Sequence, residues 1–275
     1  MQSRRNFLKA SALTAAGTLV SSHSEASPKG ITATTLNLGL ASYSLRNFTQ
    51  AKAIAMAKRA GLDFICFKSM HLPLSSTKKE IEGSAKRVAD AGLSLYGAGV
   101  VYMKTKEEID QAFDYAKTAG MSVIVGVPDH ELLDYTSQKV RDYDIKVAIH
   151  NHGPGDDLYP SPESIYERVK DLDQRVGICM DIGHTERIGV DPIRAGEKYF
   201  DRLYDIHLKD VDRAAEDGKT IEVGRGVIDI PGFLKMLVSK QYQGVVSLEY
   251  EKDEDDPLPG LSESVGYVRG CLDSI

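Results

Sequence analysis

Eight times along this chain a short apolar, β-branched run gives way to a stretch with helical periodicity. The runs fall at Leu36–Tyr43, Asp63–Lys68, Ser94–Val101, Ser122–Pro128, Ile145–His152, Val176–Asp181, Leu203–Lys209 and Val245–Glu251. The helical stretches are Phe48–Ala60, Thr77–Ala91, Thr105–Ala119, Glu131–Tyr143, Ser161–Asp173, Pro192–Asp201, Ile230–Lys240 and Leu261–Leu272. Their ends carry the expected punctuation. Gly61, Gly92 and Gly120 each follow an alanine, where a left-handed residue closes a helix. Thr77 and Thr105 precede Glu80 and Glu108 at capping-box spacing, and Ser161-Pro162 and Asp191-Pro192 place a cap before a first-turn proline. Such alternation implies a parallel sheet with helical crossovers, and eight units can close it into a barrel. The 275 residues suit one (β/α)₈ (TIM) barrel, which takes about 250. An open doubly wound sheet is the competitor, but no G-x-G-x-x-G follows the first strand.

Residues 1–26 stand apart from that pattern, leaving 27–275 as a single barrel domain. Ser3-Arg4-Arg5-Asn6-Phe7-Leu8-Lys9 precedes an apolar run from Ala10 to Val20, then Ser24-Glu25-Ala26. This order resembles a twin-arginine export signal with its cleavage site, and implies a periplasmic destination. The run is too short for a bilayer, which takes about 20 residues, so no integral membrane span is expected. Loss of Arg4, Arg5, Lys9 and Glu25 takes the net charge from −6 to −8. An acidic surface argues against nucleic acid as a partner. Cys66, Cys179 and Cys271 are odd in number and widely spaced, so free thiols are expected.

Barrel chemistry sits at the C-terminal ends of strands. The fifth run ends Ala148-Ile149-His150-Asn151-His152, the sixth Cys179-Met180-Asp181, the seventh Asp205-Ile206-His207-Leu208-Lys209, and the eighth Ser247-Leu248-Glu249-Tyr250-Glu251. With period-two alternation, Ile149, Met180, Leu208 and Leu248 face the helices. His150, Asp181, His207 and Glu249 then point into the mouth together. Two close carboxylates repel unless a cation or proton joins them, so two imidazoles and two carboxylates read as metal ligands.

The phrases Asp181-Ile182-Gly183-His184, His207-Leu208-Lys209-Asp210 and Glu249-Tyr250-Glu251, with Gly224-Arg225-Gly226 before the last, resemble the xylose isomerase-like barrel family. That group includes sugar epimerases, hydroxypyruvate isomerases and inosose dehydratases. The resemblance implies ligands Glu, Asp, His and Glu on strands five to eight, matched here by Asp181, His207 and Glu249. It also implies substrate contacts from His184 and Arg213. The departure is on strand five, where His150 stands in place of Glu. Epimerases of the family use the two glutamates on opposite faces of an enediolate, and here Glu249 is the one left. Two nitrogens also move the cation preference from Mg or Mn toward Zn, Co, Ni or Fe, with Mn still in the expected set.

Lys209 shares the face of His207 and fits either an enolate-stabilising role or an ion pair with Glu251. His152 fits acid/base work or a rim hydrogen bond. Lys68, His71 and Glu251 are expected around the substrate, and Asp205 lies one step below His207 without an assigned role. The expected function is metal-dependent isomerisation or epimerisation of a small keto-sugar, with Glu249, His152 and Lys209 catalytic. A lyase acting on 3-keto-glycosides through the same enolate is the alternative. A sugar-binding barrel without chemistry and an endonuclease IV-like repair enzyme are further readings; export and the acidic surface weigh against the latter. The long segment Val211–Gly226 suits either a lid or a contact in a homodimer.

Overall fold

The computed structural model describes residues 36–275. The stretch read as an export signal lies outside the described residues. The barrel strands are β1 (Asn37–Ala41), β2 (Phe64–Phe67), β3 (Ser94–Met103), β4 (Val123–Pro128), β5 (Lys146–His150), β6 (Val176–Asp181) and β7 (Leu203–Leu208). A two-stranded antiparallel pair follows, β8 (Asp210–Val211) with β9 (Thr220–Ile221), and β10 (Val245–Leu248) closes the ring. Each barrel strand pairs with its neighbours in parallel, and β10 returns to β1. The described residues form one closed (β/α)₈ barrel.

The helices are α1 (Gln50–Arg59), α2 (Lys78–Asp90), α3 (Lys106–Ala119), α4 (Leu133–Tyr143), α5 (Pro162–Val169), α6 (Ile182–Arg187), α7 (Pro192–Lys198), α8 (Ile230–Ser239) and α9 (Leu258–Asp273). Their starts follow local chemistry. Thr77 and Glu80 exchange both bonds of a capping box. Thr105 accepts from Glu108 N, but the Glu108 carboxylate accepts from Lys104 N instead, so that box is only half closed. Asp191 accepts from Ile193 N and Arg194 N ahead of Pro192. Gly61, Gly92 and Gly120 all have positive φ. Where the sequence places one helix after β6, two short ones occur, α6 and α7. The first begins directly at the strand end because Asp181 is its N-cap.

Two apolar layers follow from strand parity. Cys66, Tyr96, Val123, Val125, Ala148, Cys179 and Val245 fill the barrel interior. Outward residues such as Ile149, Ile178, Met180, Ile206, Leu208 and Leu248 pack beneath the helices. The interior is not wholly apolar. Tyr96 donates to Asp205 Oδ1 at 3.0 Å and lies 2.5 Å from Ser247 Oγ, and the Cys179 thiol is 3.4 Å from Asp205 Oδ2. These bonds offset the cost of burying polar groups under the mouth.

Candidate metal centre and substrate mouth

Strand register sets the centre. Asp181 is level with His207 across β6 and β7, and His150 is one step lower, level with Cys179. Glu249 follows β10, its backbone N–H donating to Leu208 O at 3.2 Å. Four side chains converge, each offering an atom within 4.8 Å of the others: His150, Asp181, His207 and Glu249. His150 Nε2 is 2.9 Å from His207 Nδ1 and 3.7 Å from Asp181 Oδ2, and His207 Nδ1 is 3.2 Å from Glu249 Oε2. All four residues are buried.

Neighbours fix the ligand directions. Asp181 spends Oδ1 on the N–H of His184, at 2.8 Å, which leaves Oδ2 for the centre. Asn151, fully buried, accepts from Asp181 N at 3.0 Å and donates to Thr185 Oγ1 at 3.2 Å, tying the ends of β5 and β6 together. Below, Asp205 Oδ2 is 3.7 Å from His207 Nε2, on the side of the ring away from the centre. A carboxylate in that position favours a ring orientation with Nδ1 turned to the mouth.

Lys209 adds a buried positive charge. Its ammonium is 2.9 Å from Asp181 Oδ2, 3.0 Å from Glu249 Oε2 and 2.8 Å from Glu251 Oε1. Its stem crosses the face of Gly183, where a Cβ would lie 2.8 Å from Lys209 Cγ. The glycine of Asp-Ile-Gly-His is thus a matter of space. Burial would lower the pKa of Lys209, but the three carboxylates outweigh it and hold the group well above the ordinary lysine range. Burial likewise pushes Glu249 up, and His207 and Lys209 more than reverse this. Asp181 is held down against its burial by His184, Lys209 and His150. Burial drives His150 down to about 3 and His184 to about 4, so both rings are neutral. His207 is raised in spite of burial by Glu249 and Asp205. Burial raises Asp205 to about 6.

The donor set fits a divalent cation. His150 Nε2, His207 Nδ1, Asp181 Oδ2 and Glu249 Oε2 face one another in a buried site, with the Lys209 ammonium beside both carboxylate oxygens. Asp181, Glu249 and Glu251 carry three negative charges against the one positive charge of Lys209. A divalent cation balances the remainder. Two nitrogens and two oxygens at one point suit a borderline ion better than Mg.

The other expected residues divide. His152 lies beside the centre, its ring 4.5 Å from that of His150. Its Nε2 is 3.2 Å from the Tyr102 hydroxyl and its Nδ1 3.5 Å from Asp156 Oδ2. Burial lowers its pKa. His184 Nε2 is 3.7 Å from Asp181 Oδ2, and its Nδ1 is 3.2 Å from Arg187. Lys68 stands on the opposite wall, donating to Val100 O at 3.2 Å, with its ammonium 5.6 Å from the Tyr43 ring and 5.9 Å from the Tyr102 ring.

Two expectations need correction. His71 is not at the mouth surface: it is buried, Nδ1 at 2.9 Å from Ser42 Oγ and Nε2 at 3.2 Å from Leu45 O. Both nitrogens are used in joining the loop after β2 to the turn after β1. Arg213 is 52% exposed and pairs with Asp212 at 3.5 Å and Asp217 at 3.7 Å. It sits in the turn of the β8–β9 hairpin, where its ion-pair partners are these two exposed aspartates rather than residues of the cluster. Asp210 anchors that segment, accepting from Val211, Gly224, Gly226 and Ile228 N–H groups at 2.9–3.3 Å. A Cβ on Gly226 would sit 2.1 Å from Asp210 Oδ1, so Gly-Arg-Gly is the wrapping of this carboxylate.

The family model described as xylose isomerase-like TIM barrel matches residues 50–271. The chain belongs to the xylose isomerase-like TIM barrel family. The model of the twin-arginine translocation pathway signal sequence matches residues 1–21, so the chain carries an export signal. Among curated relatives, a rhizopine catabolism protein, MocC, of Rhizobium meliloti is 24% identical over 146 residues, 48% of this chain and 44% of its own. The chain therefore spans less than half the length of that relative. An inosose dehydratase of Clostridium botulinum is 23% identical over 238 residues, covering 70% of this chain and 79% of its own. The solved structure of an L-ribulose 3-epimerase superposes with a TM-score of 0.72 at 15% identity, over 87% of this chain and 95% of the other. A relative and a fold neighbour of this chain thus carry dehydratase and epimerase names.

Proposed function

We propose that the chain is a metal-dependent enolising enzyme of a keto-sugar that finishes by β-elimination, acting as a lyase on 3-keto-glycosides in the periplasm. One observation carries this reading. A single carboxylate of the ligand set, Glu249, remains to move a proton, while the strand-five position is an imidazole turned into the cluster. Elimination needs one base, whereas the two-glutamate epimerisation needs two. A divalent cation held by His150, Asp181, His207 and Glu249 would supply Lewis acidity to a carbonyl and acidify the neighbouring C–H. Glu249 turns Oε2 to His207 and Lys209, and its other oxygen takes the α-proton. The C–H electron pair becomes the enolate π bond, with the Lys209 ammonium beside the growing negative charge. The carbonyl then re-forms, the enolate π pair becomes a new C=C bond to the glycosidic carbon, and the C–O bond there breaks with its electron pair leaving on the oxygen. The departing oxygen takes a proton at the mouth, where the Tyr102 hydroxyl and His152 Nε2 are 3.2 Å apart. Names among the relatives agree in class, since inosose dehydratases expel water.

Isomerisation or epimerisation is the second reading, favoured by His152. Its ring lies outside the ligand set and 4.5 Å from His150, where it can serve as a second proton-transfer group. Proton NMR in D₂O on the mature protein loaded with Co or Zn separates the two. Loss of the α-proton from a 3-keto-glycoside together with aglycone release is the expected result. Exchange with the glycosidic bond intact assigns an isomerase or epimerase. Silence over a panel of ketoses and 3-keto-glycosides overturns both and leaves a sugar-binding barrel.

A further inference from the structure

One step below Asp181 on the inward face of β6, Cys179 points into the barrel. It is fully buried, and strand register sets it level with His150 on β5 and Asp205 on β7. It takes no part in the proton transfers proposed above. Its sulfur lies 3.4 Å from Asp205 Oδ2, the oxygen that also stands 3.7 Å from His207 Nε2. His150, Cys179 and His207 make a second donor set, each offering one atom within 4.8 Å of the other two. The two imidazoles are therefore shared. Above them are the carboxylates of Asp181 and Glu249, and below them is a thiol.

The two sets hold different ions. Two nitrogens and two oxygens suit a borderline divalent cation, whereas a thiolate with imidazoles selects a soft one, such as monovalent copper. With bonds of about 2.0 Å to nitrogen and 2.3 Å to sulfur, a three-coordinate ion places its donors roughly 3.5–3.7 Å apart. His150 Nε2 and His207 Nδ1 are already 2.9 Å apart, so shifts of about an ångström complete the triangle. Zinc would need a fourth ligand. Asp205 is not among the converging donors, and Val125 and Ala148, which share the layer of Cys179, provide no polar partner to hold a water. A soft ion of low coordination number meets no such shortfall.

We propose that His150, Cys179 and His207 form a cuprous-ion site on the floor of the mouth, exclusive of the catalytic cation because both positions draw on the same imidazoles. On binding, a copper–sulfur bond replaces the S–H bond and the proton leaves, since a coordinating thiol is deprotonated outright. No electron is transferred. Asp181 and Glu249 then face Lys209 without the two nitrogens, so copper empties the enolising centre and leaves the barrel folded. The inference shares the ligands of the proposed centre but is independent of the reaction run there.

Anaerobic titration of the cobalt-loaded mature protein with copper(I) in acetonitrile tests it. One copper per chain is expected to bind, with an ultraviolet thiolate-to-copper band and release of one proton and one Co²⁺. Cys179→Ser is expected to keep Co²⁺ uptake, lose the band and bind copper at least about a hundredfold more weakly, having lost its soft donor. Cys179→Ala serves the same purpose should the serine hydroxyl unfold the apolar layer. Cys271→Ser, which removes the partly exposed thiol, is expected to keep the band. Copper uptake with cobalt retained overturns the proposal, as does an undiminished band in a folded Cys179 variant. Absence of the band from wild-type protein that binds Co²⁺ also overturns it, and leaves the enzyme reading standing. The band in protein that takes up no Co²⁺ keeps the copper site and sinks the enzyme reading.

Discussion

On the side of β5, β6, β7 and β10, the mouth is lined by His150, Asp181, His207, Lys209 and Glu249, all buried. On the side of β1, β2 and β3 it is lined by Tyr43 and Lys68, half-buried, and by exposed Tyr102. The first wall is held by charge: three carboxylates surround one ammonium at 2.8–3.0 Å. The second is held by ring faces and one carbonyl contact. In a low-dielectric setting, removal of one buried charge leaves its partners uncompensated. A half-exposed cation over two rings contributes far less, because water competes for it. On the proposed function, the first wall is the one that does chemistry and the second the one that selects a ligand.

The comparison breaks most visibly at Glu249. Glu249→Gln is expected to lower kcat/KM by at least about a thousandfold, since ligand and base go together. His207→Ala should be comparably inactive; full activity with normal cation content would remove the ligand assignment. Lys209→Met is next. It should reduce kcat by about a hundredfold and destabilise the fold by about 3–5 kcal/mol when stripped of cation. Paired melts with and without added Co²⁺ read this, and the gap between them should widen. On the other wall, Lys68→Ala should raise KM about tenfold with kcat within about twofold, the size of one charged contact. Equal losses in kcat would place Lys68 in the chemistry and erase the distinction. Arg213→Ala should change either constant by less than about twofold, since its pairs are exposed.

Much of this was legible in the sequence, for identifiable reasons. The barrel strands are buried on both faces, so they read as continuous apolar runs, and the helix caps lie within four residues of the elements they close. Parity alone brings His150, Asp181, His207 and Glu249 together, because a strand alternates rigidly. What escaped depended on distant partners. His71 is satisfied by Ser42 and Leu45, 29 and 26 residues earlier, and no local pattern signals that. Arg213 followed from a spacing after His207 that takes no account of the β8–β9 hairpin. The α6 helix has six residues and too few turns for periodicity; the aspartate cap at Asp181 was its one readable sign. Asp205 was seen as inward, but Tyr96 and Cys179, whose side chains bond it, lie 109 and 26 residues before it.

The Asp210 cradle has a practical corollary. Four backbone N–H groups spread over residues 211–228 close on one carboxylate, and Asp212 accepts from Lys219 N just beyond it. The hairpin tip from Arg213 to Gly218 lies beyond that clamp and is tied instead to α6, where Arg187 donates to Glu216 O at 3.1 Å while its Nη1 lies 3.2 Å from His184 Nδ1. Extra residues spliced into that tip should leave the spacing of His207 and Lys209 undisturbed while moving Arg187 against His184, so a reporter dye placed there would sense events at the mouth.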